Sequence, residues 1–337
     1  MGQETATHHA SATTDRTNHR RVRIGTRGSP LARWQTETFL QAVQAHLRQA
    51  GPHFGFAPDD FTIEVIAVMG DQIQDRRLAE IGGKGMFAKE IHEALLDRRI
   101  DCAVHSLKDL ETSFPDGIVL AGTMAREDAR DALIVRPGID AGTADFRSLL
   151  PKGAQIGTAS LRRQAQLLHA RPDLAVSLLR GNVRTRLDRV QAGGIDATLL
   201  ALAGVKRLGF ADEVSLVLDP EHMLPAAGQG IVGITARADD PDLLSLLASI
   251  EDRAARVVST AERSLLAALD GSCRTPIGAY AQLDADDQVQ LTGLAARGDG
   301  TFLLRRSLTG AARDAARLGA TLGAELRRDS PADIFLD

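Results

Sequence analysis

Arginine side chains are concentrated in residues 161–190, where seven arginines are opposed by only two aspartates. Arg162 and Arg163 fall in the first turn of a predicted helix that directly follows a strand, where backbone N–H groups and the helix dipole also favour an anion. Arg180 is predicted to end a strand, and Arg186 to lie one to two turns into the next helix. Guanidiniums gathered at strand ends predict a receptor for a multiply carboxylated or phosphorylated ligand.

The N-terminal part of the chain repeats this arrangement in GTRGSPLA, where Arg27 lies on a predicted strand-to-helix turn. Ser29 can cap that helix or donate to an anion, and capping alone is sufficient to explain it. A compositional explanation stays open for the arginines, because the chain has 35 arginines and only five lysines. Arg171 and Arg189 are predicted to be solvated and to take no part in binding.

The segment VHSLKDLE places His105, Ser106, Lys108 and Asp109 at the carboxyl end of a predicted strand. Asp109 is the candidate acid and base. Its pKa would depend on nearby arginines, which lower it, and on desolvation, which raises it. A plain surface aspartate in a loop is the alternative interpretation. His105 is predicted to pack within the strand rather than to act as a base.

The two cysteines stand in unlike surroundings and cannot form a disulfide framework. Cys102 lies in the apolar run CAVHSL and is predicted to be a small core residue. Cys273 lies in DGSCRTPIG, whose small, polar and turn-forming residues predict an accessible thiol on a loop. These residues alone leave open whether Cys273 is a nucleophile, with His105 as its base, or has another purpose. No cysteine or histidine pair has the spacing of metal ligands, so no metal site is predicted.

The glycine-rich segment EIGGKGMFAKE is predicted to be a flexible lid that carries Lys84. It lacks the Ser or Thr that follows the lysine of a nucleotide-binding P-loop, so it does not predict a nucleotide site. A net charge of −4 and an aromatic content of 4% argue against nucleic-acid binding. No apolar stretch is long enough for a transmembrane helix, and the polar first 20 residues predict a disordered tail rather than a signal peptide.

Alternating strands and helices must position these residues. RVRIGT, FTIEVIAVMG and IDCAVHSL are predicted strands with helices between them, and AQIGTA, AVSLLRG and IDATLLAL repeat the pattern. Strand–helix–strand order at this spacing predicts parallel sheets. From about residue 253, a helix, alternating segments and a final Ala-rich helix predict a smaller α+β domain. The predicted fold class is therefore two α/β domains followed by a smaller C-terminal α+β domain.

Eight segments occur in the order of a known motif series: RIGTRGSPLA, GGKGMFAKE, AVHSLKDL, GTASLRRQAQL, LRGNVRTRL, AGVKRLG, LPAAGQGIVGI and GSCRTPIGAYA. Over residues 21–337 the chain resembles the porphobilinogen deaminase, or hydroxymethylbilane synthase, family. The resemblance implies that the first two domains are like periplasmic binding proteins, and that the first takes back a segment after the second. The implied ranges are 1–20 for a disordered tail, 21–124 with 231–248 for domain 1, 130–225 for domain 2 and 253–337 for domain 3, which carries the cofactor loop.

The resemblance implies a transferase of tetrapyrrole and haem biosynthesis. It would condense four porphobilinogen molecules, lose ammonia at each step, and hydrolyse the chain to hydroxymethylbilane. A dipyrromethane cofactor would be joined by a thioether to Cys273, and Asp109 would be catalytic. The other implied cofactor-binding residues are Lys84, Ser106, Lys108, Ser160, Arg162 and Arg163. The implied substrate-binding residues are Arg27, Ser29, Arg180, Arg186, Arg207 and Gln229.

The resemblance also implies a cytoplasmic monomer that binds neither nucleic acid nor membranes and hands its product to uroporphyrinogen-III synthase. One departure is HSLKDLET, where the family usually has HSMKDVPT. Without the proline the loop is predicted to be more mobile, and Glu111 adds a negative charge near Asp109. Both Asp109 and Cys273 are present, so activity is expected. A non-catalytic anion-binding module of the periplasmic type is the competing hypothesis, but it predicts a signal peptide and gives Cys273 no role.

Overall fold

Three β-sheets form the framework of the computed structural model, which describes residues 20–50, 54–72, 85–140, 142, 145–270 and 275–335. The strands are β1 (Val22–Arg27), β2 (Phe61–Ile66), β3 (Cys102–Ser106), β4 (Ile118–Thr123), β5 (Asp131–Val135), β6 (Gln155–Gly157), β7 (Ala175–Ser177), β8 (Ala197–Ala201), β9 (Leu216–Leu218), β10 (Val232–Arg237), β11 (Ile277–Leu283), β12 (Gln288–Ala296) and β13 (Leu303–Ala311). The helices are α1 (Pro30–Ala50), α2 (Met69–Gln72), α3 (Lys89–Leu96), α4 (Phe146–Leu149), α5 (Leu161–Ala170), α6 (Val183–Gln191), α7 (Leu202–Arg207), α8 (Pro241–Ser249), α9 (Arg253–Ala268) and α10 (Ala315–Asp329).

The first sheet has the strand order β2-β1-β3-β10-β4. β1 is parallel to β2 and β3, as the alternation of strands and helices predicts, whereas β10 is antiparallel to β3 and β4. Ile24 pairs with Cys102, and Val232 pairs with Ser106. The carboxyl ends of β1 and β3 therefore lie at one edge beside the start of β10. Open α/β sheets bind their ligands at this edge.

The second sheet repeats this arrangement in the order β7-β6-β8-β5-β9. β6 is parallel to β7 and β8, and β5 is antiparallel to β8 and β9. In each sheet the fourth position is therefore taken by an antiparallel strand, which is β10 in the first sheet and β5 in the second. These two strands adjoin the segments that join the sheets.

Two predicted strands end earlier than their sequence patterns indicate. β2 ends at Ile66, opposite Arg27 at the end of β1, and the short helix α2 follows instead of further strand. β7 ends at Ser177, so the prediction that Arg180 ends a strand is wrong. In both cases the strand ends where its paired neighbour ends. Ile66 of β2 is opposite Arg27 at the end of β1, and Ser177 of β7 is opposite Gly157 at the end of β6. Apolar residues beyond that point have no strand to pair with.

Two crossing segments, 124–130 and 219–231, join the first and second sheets. They lie side by side, because the Glu127 N–H donates to the Gly230 carbonyl at 3.1 Å. Gly230 has a φ of +91°, and a Cβ there would lie 2.2 Å from the Glu127 carbonyl oxygen. Glycine is therefore required both by the backbone conformation and by the close approach of the two crossing segments.

The third sheet, β11-β12-β13, packs against α9 and α10. Its helix α9 reaches the crossing segments through Glu262, which is fully buried. Glu262 accepts hydrogen bonds from Arg126 Nη1 at 2.6 Å and from the N–H groups of Gly228 at 2.6 Å and Ala281 at 2.7 Å. One carboxylate therefore connects the third sheet to both crossing segments.

The third sheet also contacts the second sheet's helices and loops. Gln164 on α5 donates to the Gly298 carbonyl at 2.8 Å, and Arg305 on β13 donates to the Pro220 carbonyl at 2.9 Å. The strands of the three sheets fall within the ranges predicted for the three domains, whose boundaries stay a prediction. The predicted fold class, two α/β domains and a smaller α+β domain, is confirmed. In the described ranges, no helix has the length and apolar character needed to span a bilayer.

Candidate active site

A single turn of 3-10 helix, Leu107–Asp109, follows β3 at the ligand-binding edge of the first sheet. Leu107 and Leu110 are buried, with 1% and 5% of their surface exposed. They lie on the same side because residues three apart eclipse each other in a 3-10 helix. Lys108 and Asp109 lie between them with partly exposed side chains. The chain thus presents an amine and a carboxylate side by side at the end of a buried strand.

Arg27 lies beside Asp109, with its Nη1 3.6 Å from Asp109 Oδ2. Its Nε donates to Asp71 Oδ2 at 3.2 Å, and its Nη2 donates to the other oxygen of the same carboxylate. Its guanidinium carbon lies over the Phe87 ring, 4.2 Å from the centroid. Arg27 is therefore held from three directions, and it keeps a fixed positive charge next to Asp109.

Asp131, the first residue of β5, is fully buried and pairs with two arginines. Arg162 Nη2 lies 2.8 Å from its Oδ2, and Arg163 Nη2 lies 2.7 Å from its Oδ1. Both arginines come from the first turn of α5, as predicted, and are 5% and 6% exposed. Burial alone would raise the pKa of Asp131, but the two guanidiniums hold it well below its ordinary range. Asp131 compensates only one of the two positive charges.

Gln229, in the second crossing segment, joins this arginine cluster to Lys108. Its Nε2 donates to Asp131 Oδ1 at 2.9 Å and to the Ala129 carbonyl at 2.6 Å. Its Oε1 accepts from Lys108 Nζ at 3.4 Å. Gln229 is fully buried, so its implied contact with substrate stays a prediction. In the structure it connects the charged residues of the two α/β domains.

Gln229 connects Lys108 to the buried cluster of Asp131, Arg162 and Arg163. Burial lowers the pKa of Lys108 to about 8, and Arg163 acts in the same direction, whereas Asp109 opposes the shift. Lys108 therefore changes charge close to physiological pH, unlike the arginines around it.

Arg186 lies one turn into α6, as predicted, and its Nε donates to a carbonyl of the preceding loop at 2.9 Å. Burial lowers the pKa of Arg186 to about 10, and Arg163 and Arg180 act in the same direction. Asp109 acts in the opposite direction. Arg180 reaches towards the first sheet, where its Nη2 donates to the Gly70 carbonyl at 3.4 Å. The charge of Arg186 therefore interacts both with Arg163 and Arg180 of the second domain and with Asp109 of the first.

The serines with implied binding roles contact the protein itself. Ser29 and Ser160 each accept a hydrogen bond from the N–H three residues later, at 3.3 and 3.4 Å, and so cap α1 and α5. Ser106 Oγ accepts from the amide of Gln35 at 3.0 Å. Arg207, the last residue of α7, donates to the carbonyl at position 230 in the second crossing segment at 2.7 Å. Their contacts with cofactor or substrate stay predictions.

The two residues of β3 that were expected to be packed are buried. Cys102 is fully buried. His105 is 6% exposed, and its Nε2 lies 2.9 Å from Thr235 Oγ1. Burial lowers the pKa of His105 to about 3, so the ring is neutral at physiological pH. The prediction that His105 packs within the strand is confirmed.

Of the two arginines expected to be solvated, Arg189 is exposed. The prediction is wrong for Arg171, whose guanidinium donates to Asp173 at 2.6 Å and to the Leu150 carbonyl at 3.1 Å. The loop after α4 passes close enough to accept these bonds, so only 16% of the Arg171 side chain is exposed.

Two residues with implied roles, Cys273 and Lys84, lie outside the described residues. In the sequence, Cys273 falls between α9 and β11. Within the part of the chain that the structure describes, no group of three or more His, Cys, Asp or Glu side chains is arranged to hold a metal ion.

Three residues of the site were missed by sequence reasoning: Asp71, Asp131 and Gln35. Asp131 pairs with arginines 31 and 32 residues away, a distance that local patterns do not reveal. The available signal was an acidic residue at the start of the apolar run DALIV, since a carboxylate buried at a strand end requires a cation.

Two protein-family models together match most of the chain. Residues 22–245 match the model described as porphobilinogen deaminase, dipyromethane cofactor binding domain. Residues 257–328 match the porphobilinogen deaminase C-terminal domain. The chain belongs to the porphobilinogen deaminase family. The resemblance carried by the eight sequence segments is thereby confirmed.

Porphobilinogen deaminases from other organisms are similar over nearly the whole chain. The protein of Paracoccus denitrificans is 46% identical, over 93% of this chain and 96% of the relative. That of Nitrobacter winogradskyi is 47% identical, over 93% of this chain and 94% of the relative. Among solved structures, a VFT2 domain of Bordetella pertussis BvgS matches 68% of this chain and 85% of its own, with a TM-score of 0.41 and 16% identity.

In this member of the porphobilinogen deaminase family, cations outnumber carboxylates among the described residues around Asp109. The cations are Arg27, Lys108, Arg162, Arg163, Arg180 and Arg186, and the carboxylates are Asp71, Asp109, Asp131 and, two residues further along the chain, Glu111. An excess of guanidiniums favours a ligand that carries several carboxylates.

Proposed function

We propose that this protein joins four porphobilinogen molecules in succession, with loss of one ammonia at each step. Hydrolysis then releases the product as hydroxymethylbilane. The observation that carries the proposal is the position of Asp109, a partly exposed carboxylate among an excess of cations. Each porphobilinogen carries an acetate and a propionate, so every addition brings two more carboxylates for those cations to bind.

Cys273 is the proposed attachment point of the family's dipyrromethane cofactor, through a thioether. Cys102 is fully buried, and burial raises the pKa of its thiol, which makes it unreactive. Cys273 is therefore the thiol that remains in a chain with two cysteines. When bound, the cofactor supplies the pyrrole carbon at which the first substrate molecule is added.

The residues near Asp109 fit a group with several carboxylates. Arg162 and Arg163 are largely covered, so they act mainly through the charge that Asp131 leaves uncompensated. Lys108 is partly exposed and is the proposed direct contact to a carboxylate of the cofactor. Lys84, Ser106 and Ser160 are the further proposed contacts to the cofactor.

Asp109 is the proposed proton carrier of each addition. As an acid it gives a proton to the leaving amine, so that the C–N bond breaks and ammonia departs. As a carboxylate it stabilises the cationic carbon that is left and accepts a hydrogen bond from the pyrrole N–H. After the new C–C bond forms, it takes the proton that the attacked pyrrole carbon releases. Arg27, held 3.6 Å away, keeps a positive charge beside that carboxylate throughout.

Arg180 and Arg186 are the proposed receptors for the carboxylates of the incoming substrate. Both side chains are partly exposed. The charge of Arg186 interacts with that of Arg180 and with that of Asp109. Arg27, Ser29, Arg207 and Gln229 are the further proposed substrate contacts. The proposal also includes a cytoplasmic monomer that passes hydroxymethylbilane to uroporphyrinogen-III synthase.

Lys108 is a proposed cofactor contact, but its charge also acts on the substrate carboxylates that approach the adjacent Asp109. Substrate binding should therefore be sensitive to alkaline pH. Because the pKa of Lys108 is about 8, the ammonium is lost as the pH rises through that value. The charged fraction then falls about tenfold per pH unit. We expect the KM for porphobilinogen to rise between pH 7 and 9 in the wild type and to stay nearly constant in Lys108→Arg, whose guanidinium remains charged. Steady-state kinetics across this range measure the difference.

The exposed Lys152 provides the matched control, since Lys152→Arg should show the wild-type rise in KM. A wild-type KM that does not change with pH, or an equal rise in Lys108→Arg, would contradict the role of Lys108.

Intact-protein mass tests the proposed attachment. We expect the purified wild type to be heavier than its sequence by one dipyrromethane and to give the Ehrlich colour reaction. Cys273→Ala should have the mass of the bare chain, no colour and no activity, whereas Cys102→Ala should keep all three wild-type properties. Turnover of porphobilinogen by a wild-type chain of bare mass would rule out the attachment.

A further inference from the structure

Two leucines connect the Leu107–Asp109 turn to an apolar cluster that extends into the third domain. Leu107 and Leu110 flank Lys108 and Asp109 and are almost completely buried. Both belong to this cluster, which contains Ile231 of the second crossing segment and residues of α9, α10, β11 and β12, among them Ala261, Leu265, Ile277, Leu291 and Leu322. The turn that presents Asp109 therefore follows a strand of the first sheet and shares its apolar surroundings with the third domain.

Arg263, on α9, holds the chain immediately after this turn. Its Nη2 donates to the carbonyls of Glu111 at 2.5 Å and Thr112 at 3.3 Å, and its Nη1 donates to that of Leu110 at 3.4 Å. The guanidinium carbon lies 5.2 Å from the centroid of the Phe114 ring. One side chain thus binds three successive carbonyls of a segment that has no proline to restrain its backbone.

An arginine is suited to this contact because its N–H groups are spread along a planar fork. A lysine would have to reach the same carbonyls from a single nitrogen atom. Burial lowers the pKa of Arg263 to about 10, and Arg256 acts in the same direction. The guanidinium nevertheless stays protonated at physiological pH, so all of its donors remain available.

The helix that carries Arg263 also precedes Cys273 in the sequence. α9 ends at Ala268, five residues after Arg263 and five residues before Cys273. From Arg263 to its end the helix rises by about 7.5 Å, and its backbone hydrogen bonds make it rigid. The element that contacts the segment after Asp109 is therefore also the one that precedes the proposed cofactor attachment along the chain.

We propose that Arg263 is a positioning residue, which fixes the segment after Asp109 from the third domain and so sets the place of that carboxylate relative to the third domain. This inference rests on the proposed function. A displacement of about 1 Å in a catalytic group costs up to about a hundredfold in rate. Loss of the clamp should therefore be visible in turnover even when the cofactor is attached.

Arg263→Met is expected to lower kcat by about tenfold to a hundredfold, with little change in KM and with dipyrromethane still attached. Added guanidinium ion should restore part of the lost kcat, because it can occupy the space between the three carbonyls. Arg253→Met is the control: it removes an exposed arginine of the same helix, which pairs with Asp287, and should keep the wild-type kcat.

If Arg263→Met does not fold, Arg263→Lys tests the positioning role instead. It should unfold at nearly the wild-type temperature, yet show a lower kcat and faster hydrogen exchange in the peptide 110–114. A kcat equal to that of Arg253→Met in both Arg263 variants would overturn the positioning role and leave the proposed function intact. A wild type that neither carries dipyrromethane nor releases ammonia from porphobilinogen would overturn both.

Discussion

Asp109→Asn is expected to lower the kcat for porphobilinogen by about two to four orders of magnitude. Asparagine has nearly the same shape and can still contact Arg27, but its amide neither gives a proton to the leaving amine nor takes one from the pyrrole carbon. It also carries no charge to stabilise the cation left when ammonia departs. The arginines are unchanged, so dipyrromethane should stay attached and KM should change far less than kcat.

Ammonia release and hydroxymethylbilane formation are measured side by side, and intact mass verifies the cofactor. Asp116→Asn is the matched control, because Asp116 is an exposed aspartate of the loop that follows the same turn. Its kinetics should equal those of the wild type. Ammonia release by Asp109→Asn at close to the wild-type rate would eliminate Asp109 as the proton carrier.

The second large effect is on stability, at Asp131. We expect Asp131→Asn to lower the free energy of unfolding by about 3–5 kcal/mol, because it leaves the charges of Arg162 and Arg163 buried without the carboxylate that pairs with both. The arginines should also lose their orientation, so attachment of the cofactor should be impaired. Denaturant unfolding with an unchanged m-value measures the loss.

The pH dependence of stability gives an independent check. The guanidiniums hold the pKa of Asp131 below its ordinary value in the folded state, despite burial. A carboxyl with a depressed folded pKa contributes stability above its unfolded pKa, about 4, and loses it as the pH falls further. The wild type should therefore lose stability below about pH 4 more steeply than Asp131→Asn. Equal stability of the two proteins at neutral pH would refute the role of the buried pair.

Asp188→Asn is the control for the Asp131 variant. It removes a carboxylate that also pairs with an arginine, Arg184, but both of these side chains are more than half exposed. An exposed ion pair contributes little to stability, because water and salt already screen its charges. Its unfolding midpoint should therefore stay close to that of the wild type.

Local sequence patterns predicted the parts of the site that depend on neighbours along the chain. Arg162 and Arg163 are in the first turn of α5 because Ser160 caps that helix just after β6. Asp109 stands at the end of β3 because an apolar strand stops at Ser106 and a 3-10 turn follows. Each of these depends on short-range hydrogen bonding and on the alternation of apolar residues.

The other contacts of the site join residues that are far apart in the chain. Local sequence patterns and composition do not predict such contacts. Gln229 contacts Asp131 across 98 residues, and Arg263 contacts Glu111 across 152. Both contacts depend on the return of the chain to the first sheet as β10. That return was implied by the family resemblance and was not derivable from strand patterns. Arg263 itself lies on a helix whose position was predicted, but nothing in its neighbours indicated which carbonyls it would meet.

The place of β10 within the first sheet has a consequence for how the protein is made. β10 lies between β3 and β4, yet more than a hundred residues separate it from β4 along the chain. At about 5–20 residues per second, the ribosome delivers that interior strand on the order of ten seconds after β4. The second sheet has all five strands between Asp131 and Leu218, so it can be completed first. The N-terminal sheet, although synthesised earlier, keeps an open gap between two of its strands until its neighbour is complete.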